Sequence, residues 1–195
     1  MRMLSALRPF TLLIAAFVVI AGCSDDDEAK PPFQPNPTPA ELVSPEITLG
    51  LLQQAYEARD SVTTARVYDT DYAGTSTDLN DPPGSQTINF TRANEISHVG
   101  ALRKSTTITS VTCDLGPPAS WVRLASDDVS HPEWALIHIS GGFVRIEIND
   151  GASILQAGGP SDQMSFYFTP KPDTTSQTDT LWTVIKWDET RAGVP

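Results

Sequence analysis

The sequence predicts an α+β domain, with helices first and strands afterwards. Three observations predict it. Between residues 44 and 104 apolar residues recur at three- and four-residue intervals; beyond residue 105 they alternate with polar ones. The order of the two patterns, a run of helices and then a run of strands, favours helices packed on one face of an antiparallel sheet. Composition allows one packed core, since 39% of the 195 residues are apolar and 8% aromatic. The formal charge of −11, from 24 acids against 13 bases, excludes a nucleic-acid partner, which requires a basic face.

In chain order, residues 1–22 form a targeting segment outside the fold. Arg2 and Arg8 supply its basic start, and Phe10 to Ala21 is a twelve-residue stretch whose only polar member is Thr11. That is short for a membrane span, which takes about 20 residues. The segment closes on Ile20-Ala21-Gly22-Cys23, which looks like the lipobox of bacterial lipoproteins. The resemblance implies that Cys23 is acylated and becomes the new N-terminus. Stable anchoring takes more than one acyl chain, and proteins of this type carry several. Ser24 follows where an aspartate would be the usual signal for inner-membrane retention, so the expected place is the outer membrane of a bacterial envelope, with the membrane itself as first partner.

Loss of residues 1–22 removes Arg2 and Arg8 but no acid, so the remaining 173 residues carry a formal charge of −13. Cys113 is then the one free thiol, read as a small buried hydrophobe. Residues 23–44 are the lipidated cysteine and a tether. Asp25, Asp26, Asp27 and Glu28 repel one another, and Pro31, Pro32, Pro35, Pro37 and Pro39 favour extended backbone. The folded domain is expected over 45–190, with 191–195 as a tail.

Ser44-Pro45-Glu46 predicts a helix start: an N-cap, proline in the first turn, and an acid facing the dipole. Ile47, Leu51, Leu52, Ala55 and Tyr56 give that helix an apolar stripe ending near Arg59. Asp60 caps a second, short helix to Val67. Tyr68-Asp69-Thr70-Asp71 is expected to break it before a strand from Tyr72 to Thr77. Asn80-Asp81-Pro82-Pro83-Gly84 is a loop by its turn chemistry. A third helix spans Thr91 to Lys104, with Ile96, Val99 and Leu102 on one face. Strands are then expected over Thr106 to Leu115, Trp121 to Ala125, Trp134 to Asn149 with an interruption at Gly141-Gly142, Met164 to Thr169, and Leu181 to Asp188. Gly158-Gly159-Pro160-Ser161-Asp162 is read as a turn.

Two segments carry a family likeness. Leu51-Leu52-Gln53-Gln54-Ala55-Tyr56-Glu57-Ala58-Arg59-Asp60 resembles the opening helix of the nuclear-transport-factor-2-like superfamily, shared with ketosteroid isomerase and scytalone dehydratase. Leu181-Trp182-Thr183-Val184-Ile185-Lys186-Trp187-Asp188 resembles its terminal strand. The likeness runs from Ser44 to Glu189 and implies a strongly bent sheet wrapped around the helices, leaving a cone whose open end is the ligand pocket. The Gly141-Gly142 break suits such a bend.

Inside that cone the expected lining residues are Tyr72, His138, Phe166 and Trp182. No convincing acid–base set is visible, so no catalytic residue is assigned. Asp69-Thr70-Asp71 begins like a calcium loop, but Ala73 and Asn80 stand where oxygen ligands belong. Three scattered histidines give no zinc spacing. Neither metal nor cofactor is expected. The reading is a lipid-anchored binding or interaction module, with a small apolar ligand or an envelope protein as partner. Two alternatives stand beside it: a cofactor-free isomerase, dehydratase or hydrolase working in the cone, and a structural envelope protein dimerising through its sheet.

Overall fold

The computed structural model describes residues 42–82, 87–141, 143–148, 153–158, 161–172 and 180–191. The targeting segment, Cys23 and the tether up to residue 41 lie outside the described residues. No helix among those described is long and apolar enough to cross a membrane.

The fold class is α+β, and the three α-helices among the described residues come where the apolar period places them. Helix α1 (Pro45–Glu57) starts as its cap dictates, with the Ser44 side chain accepting from the Ile47 N–H. Its buried face is Thr48, Leu49, Leu52, Ala55 and Tyr56, while Ile47 is exposed. Thr48 fits in that face because its hydroxyl donates to the Trp182 carbonyl at 3.0 Å. Arg59 ends the turn in a left-handed conformation (φ 54°), and its guanidinium donates to the Ile108 carbonyl. Asp60 then caps α2 (Ser61–Val67) through the Val62 and Thr63 N–H groups. Helix α3 (Arg92–Lys104) begins with a reciprocal capping box between Thr91 and Asn94.

Among the described residues nine strands follow or interleave: β1 (Tyr68–Asp78), β2 (Thr87–Thr91), β3 (Ile108–Asp114), β4 (Arg123–Ala125), β5 (Ala135–Ser140), β6 (Phe143–Ile148), β7 (Ser153–Gly158), β8 (Gln163–Pro172) and β9 (Thr180–Arg191). Six of them form an open sheet in the order β2-β1-β9-β8-β5-β4, and β3-β6-β7 form a second sheet. The larger sheet is mixed rather than antiparallel. The last strand lies parallel to β1, with Gly74 opposite Trp187, while every other pair is antiparallel. Bulges interrupt β1 between Tyr68 and Ala73 and the β8–β9 pair after Tyr167, as needed to turn a strand.

Three other expectations are corrected. Tyr68 to Asp71 end α2 as expected, but they are already strand, so β1 starts at Tyr68 rather than at Tyr72. The stretch expected as a strand pair or one bent strand from Trp134 to Asn149 is two strands, β5 and β6, that do not pair with each other. At Gly141 (φ 80°) the chain leaves the larger sheet, and β5 and β6 belong to different sheets. Strand β7 is not among the expected strands and takes in Gly158, while Gly159 and Pro160 of the expected turn lie outside the described residues.

Helix α1 rests on β3, β5 and β9, and α3 rests on β1 and β2. Between helices and sheet lies one main core, in which Leu49, Leu52 and Tyr56 of α1 and Val99 of α3 meet Tyr72, Ile137, Phe166, Phe168 and Val184 of the sheet. The opposite face of the sheet carries a smaller cluster of Leu136, Tyr167 and Ile185 under Trp134. Trp134 is itself stacked by His131 at 4.1 Å, so the chain covers part of that face with its own loop.

Candidate functional site

The most unusual chemistry lies in the core. Glu95 sits on the stripe Glu95, Val99, Leu102, which α3 buries against β1. Tyr56, one residue before the end of α1, donates its hydroxyl to Glu95 Oε2 at 2.6 Å. Tyr72 of β1 donates to Glu95 Oε1 at 3.3 Å. The Tyr68 ring lies 4.3 Å from that of Tyr72. Its hydroxyl is buried without a well-aligned hydrogen bond, though Glu95, Tyr56 and Tyr72 are close enough to affect its titration. The backbone of β1 makes room for this arrangement at Gly74, where a Cβ would meet the Tyr72 hydroxyl.

Burial drives the electrostatics. It raises the Glu95 pKa, the two tyrosine hydroxyls pull it back, and Glu189 pushes it up again. The first turn of α3 adds the favourable end of a helix dipole. Burial, and then the Glu95 charge, lift Tyr56 and Tyr72 well above the ordinary phenol range. Glu189 is buried as well; it accepts from the Ser76 hydroxyl at 2.7 Å and lies 3.4 Å from Arg191. These groups are donors and acceptors satisfied largely by one another. The tyrosines are placed as hydrogen-bond donors and Glu95 as their common acceptor.

Beside them is a cavity of about 10 Å³, lined by Leu52, Tyr56, Tyr68, Cys113, Phe166 and Trp187 among others. That is room for one water at most. Burial, followed by Glu57 and Asp114, pushes the Cys113 thiol up to about 12, so it is inert at neutral pH. Among the described residues no cluster of His, Cys, Asp or Glu could hold a metal.

The expected lining residues separate. Tyr72 belongs to the Glu95 cluster, and Phe166 borders the small cavity. Trp182 is buried under the Arg123 guanidinium, 4.3 Å from its ring, and borders neither this cavity nor the groove described below. His138 does not face the interior, because alternation in β5 gives the core to Ile137 and Ile139 and sends His138 outward. There its ring is 3.1 Å from the Ser165 hydroxyl, and Asp188 is next in the row. Serine between histidine and aspartate is the wrong order for a relay, in which the acid must orient the base. Asp188 is engaged with Thr75 and Lys186 instead. His98 is exposed on α3, and the desolvation it does experience lowers its pKa.

Glu95 is the residue that sequence reasoning missed. The signal was its spacing: 95, 99 and 102 fit one helix face better than 96, 99 and 102, and Ile96 is only half-buried.

A second, open feature is a groove of about 440 Å³ where α2, the start of α3 and the ends of β1, β8 and β9 converge. Arg66, Arg92, Lys171 and Asp69 line it together with Leu42 and Leu181.

By sequence, no family model matches the chain, and no curated protein does either. Among solved structures it is similar to a ketosteroid isomerase-like protein from Erwinia carotovora atroseptica, with 11% identity, 79% of this chain and 98% of the other covered, and a TM-score of 0.44. It is similar to a nuclear-transport-factor-2-like superfamily protein from Salmonella enterica serovar Typhimurium, at 9% identity, 76% and 89% coverage and a TM-score of 0.46. A third likeness is to a nuclear-transport-factor-2-like protein with a cystatin-like fold from Novosphingobium aromaticivorans, at 10% identity, 76% and 79% coverage and a TM-score of 0.43. The likeness concerns the course of the backbone, and nothing about activity passes from these proteins to this one.

Proposed function

We propose that the chain is an envelope lipoprotein, held through acylated Cys23 in the outer membrane, whose nuclear-transport-factor-2-like domain binds a ligand or partner without catalysis. The closure of the interior supports the non-catalytic part. Glu95, on which the Tyr56 and Tyr72 hydroxyls converge, has beside it a cavity of only about 10 Å³, bordered by Tyr56, whereas small-molecule sites take hundreds. Titration with 2-naphthol, a phenol small enough to test the interior, should leave the amide resonances of Leu52, Phe166 and Trp187 unmoved. Saturable shifts there would overturn the closed-interior reading.

Such shifts would favour a second reading, a cofactor-free isomerase or dehydratase in which Glu95 and the tyrosines supply a proton and hydrogen bonds. The raised pKa of Glu95 in apolar surroundings is the observation on its side. The sheet face offers less to a dimer, because the loop carrying His131 and Trp134 already covers Leu136, Tyr167 and Ile185.

The anchor is tested apart from the domain. Cells fed an alkynyl fatty acid should label the wild-type protein, and Cys23→Ala should be unlabelled and keep its leader. Label on the variant would remove the lipoprotein assignment.

A further inference from the structure

We infer that the open groove beside α2 is a binding site for an anion carried on a short apolar body, such as an aliphatic carboxylate. This rests on the reading of the domain as a binding module and gives that module a ligand class. Three cations, Arg66, Arg92 and Lys171, line the groove against one carboxylate, Asp69. Over the whole chain acids outnumber bases 24 to 13, so the groove inverts the protein's charge balance. A concave patch of one sign concentrates ions of the other.

Arg92 and Lys171 are positioned in advance. Arg92 donates through Nε to the Tyr68 carbonyl at 3.1 Å and through a second nitrogen to the Ala65 carbonyl, which fixes the plane of its guanidinium. Lys171 is 3.0 Å from Asp69 Oδ2 and remains 44% exposed. Asp69 in turn accepts from Thr183 at 2.8 Å and from the Asp71 N–H at 3.1 Å. The ammonium is therefore held at the mouth of the groove by a buried, well-tied carboxylate. Fixed donors lose less entropy on binding than free ones.

The rest of the wall sets the ligand's body. Leu42, Ala65 and Leu181 are apolar, and about 440 Å³ exceeds what an inorganic anion needs. An anionic head at the cations with a hydrocarbon chain along the leucines uses both parts of the groove.

The experiment uses octanoate, with octanamide as its neutral counterpart and inorganic phosphate as an anion without a body. Octanoate should shift the amides of Asp69, Thr70 and Arg92 saturably and bind about tenfold more tightly than either comparator. Its affinity should fall with added salt. Thr70→Glu, which places a negative charge on an exposed position of the groove wall, should weaken octanoate at least tenfold without changing the melting temperature. Lys171→Gln should weaken it too.

Equal binding of octanamide, equal binding of phosphate, or indifference to Thr70→Glu overturns the assignment. So does the absence of any octanoate binding. That last result leaves the closed interior and the lipid anchor standing, since 2-naphthol and alkynyl labelling test those. Octanoate shifts confined to Leu52, Phe166 and Trp187 would overturn the groove and the closed interior together.

Discussion

The Tyr56 hydroxyl reaches from the last turn of α1 to Glu95 Oε2 in the first turn of α3, across 2.6 Å of otherwise apolar core. The bond joins two residues 39 apart on different helices and gives a buried acid its shortest hydrogen bond. Tyr56→Phe keeps the ring and removes the donor. Leaving a buried acceptor unsatisfied costs about 1–3 kcal/mol, so urea denaturation at neutral pH should show a loss of that size. Tyr72→Phe, whose bond is 3.3 Å, should cost less. A reversed order would mean that Tyr72 is the main partner of Glu95.

Glu95 also makes the fold sensitive to pH in an unusual direction. Burial holds its pKa above that of a free carboxylate, so the folded protein binds the proton more tightly than the unfolded chain. The stabilisation is then complete below the unfolded value and is lost as pH rises through the folded one. Between about pH 4 and pH 8 the wild type should lose stability relative to Glu95→Gln, whose amide does not titrate. Urea midpoints of both proteins across that range test it, and a constant difference contradicts it.

Asp69 works with the opposite sign. Its burial raises the pKa, but the Asp71 N–H, Lys171 and Thr183 together outweigh that and leave it lowered. Its contribution is present above the unfolded value and disappears as pH falls through the folded one. Asp69→Asn should therefore cost stability at neutral pH, with the gap to wild type closing below about pH 4. Paired melts at neutral and acid pH decide this. A gap that persists in acid would show that the carboxylate charge is not what Lys171 and Thr183 hold.

How much of this could be read from the residues depends on whether the signal is local. Ser44 and Asp60 announce α1 and α2 because a capping side chain acts within three residues. The β1–β9 pairing could not be read, since Gly74 and Trp187 meet through topology and nothing in either segment states the direction of its neighbour. His138 was misplaced for a related reason. Alternation in Leu136-Ile137-His138-Ile139 gives two faces but not which one is inner, and both Leu136 and Ile137 are buried, under different clusters. Glu95 was legible from helical spacing, but its partners Tyr56 and Tyr72 come from two other elements. The groove was invisible, because Arg66, Arg92 and Lys171 lie far apart in the chain.

Gly74 carries the last prediction. A Cβ there would meet the Tyr72 hydroxyl first, then Tyr72 Cζ at 3.0 Å and Phe90 Cβ at 3.4 Å. The ring cannot yield without straining the bond from Tyr72 to Glu95. Gly74→Ala should therefore cost about 1–3 kcal/mol, as overpacking in a filled core does. Because the atom met first is the hydroxyl, the penalty should shrink when the same change is made in Tyr72→Phe. A double-mutant cycle by urea denaturation measures that coupling. Equal penalties in both backgrounds would place the clash on the ring or on Phe90, and Gly74 would then owe its size to the β1–β2 pair rather than to the acid cluster.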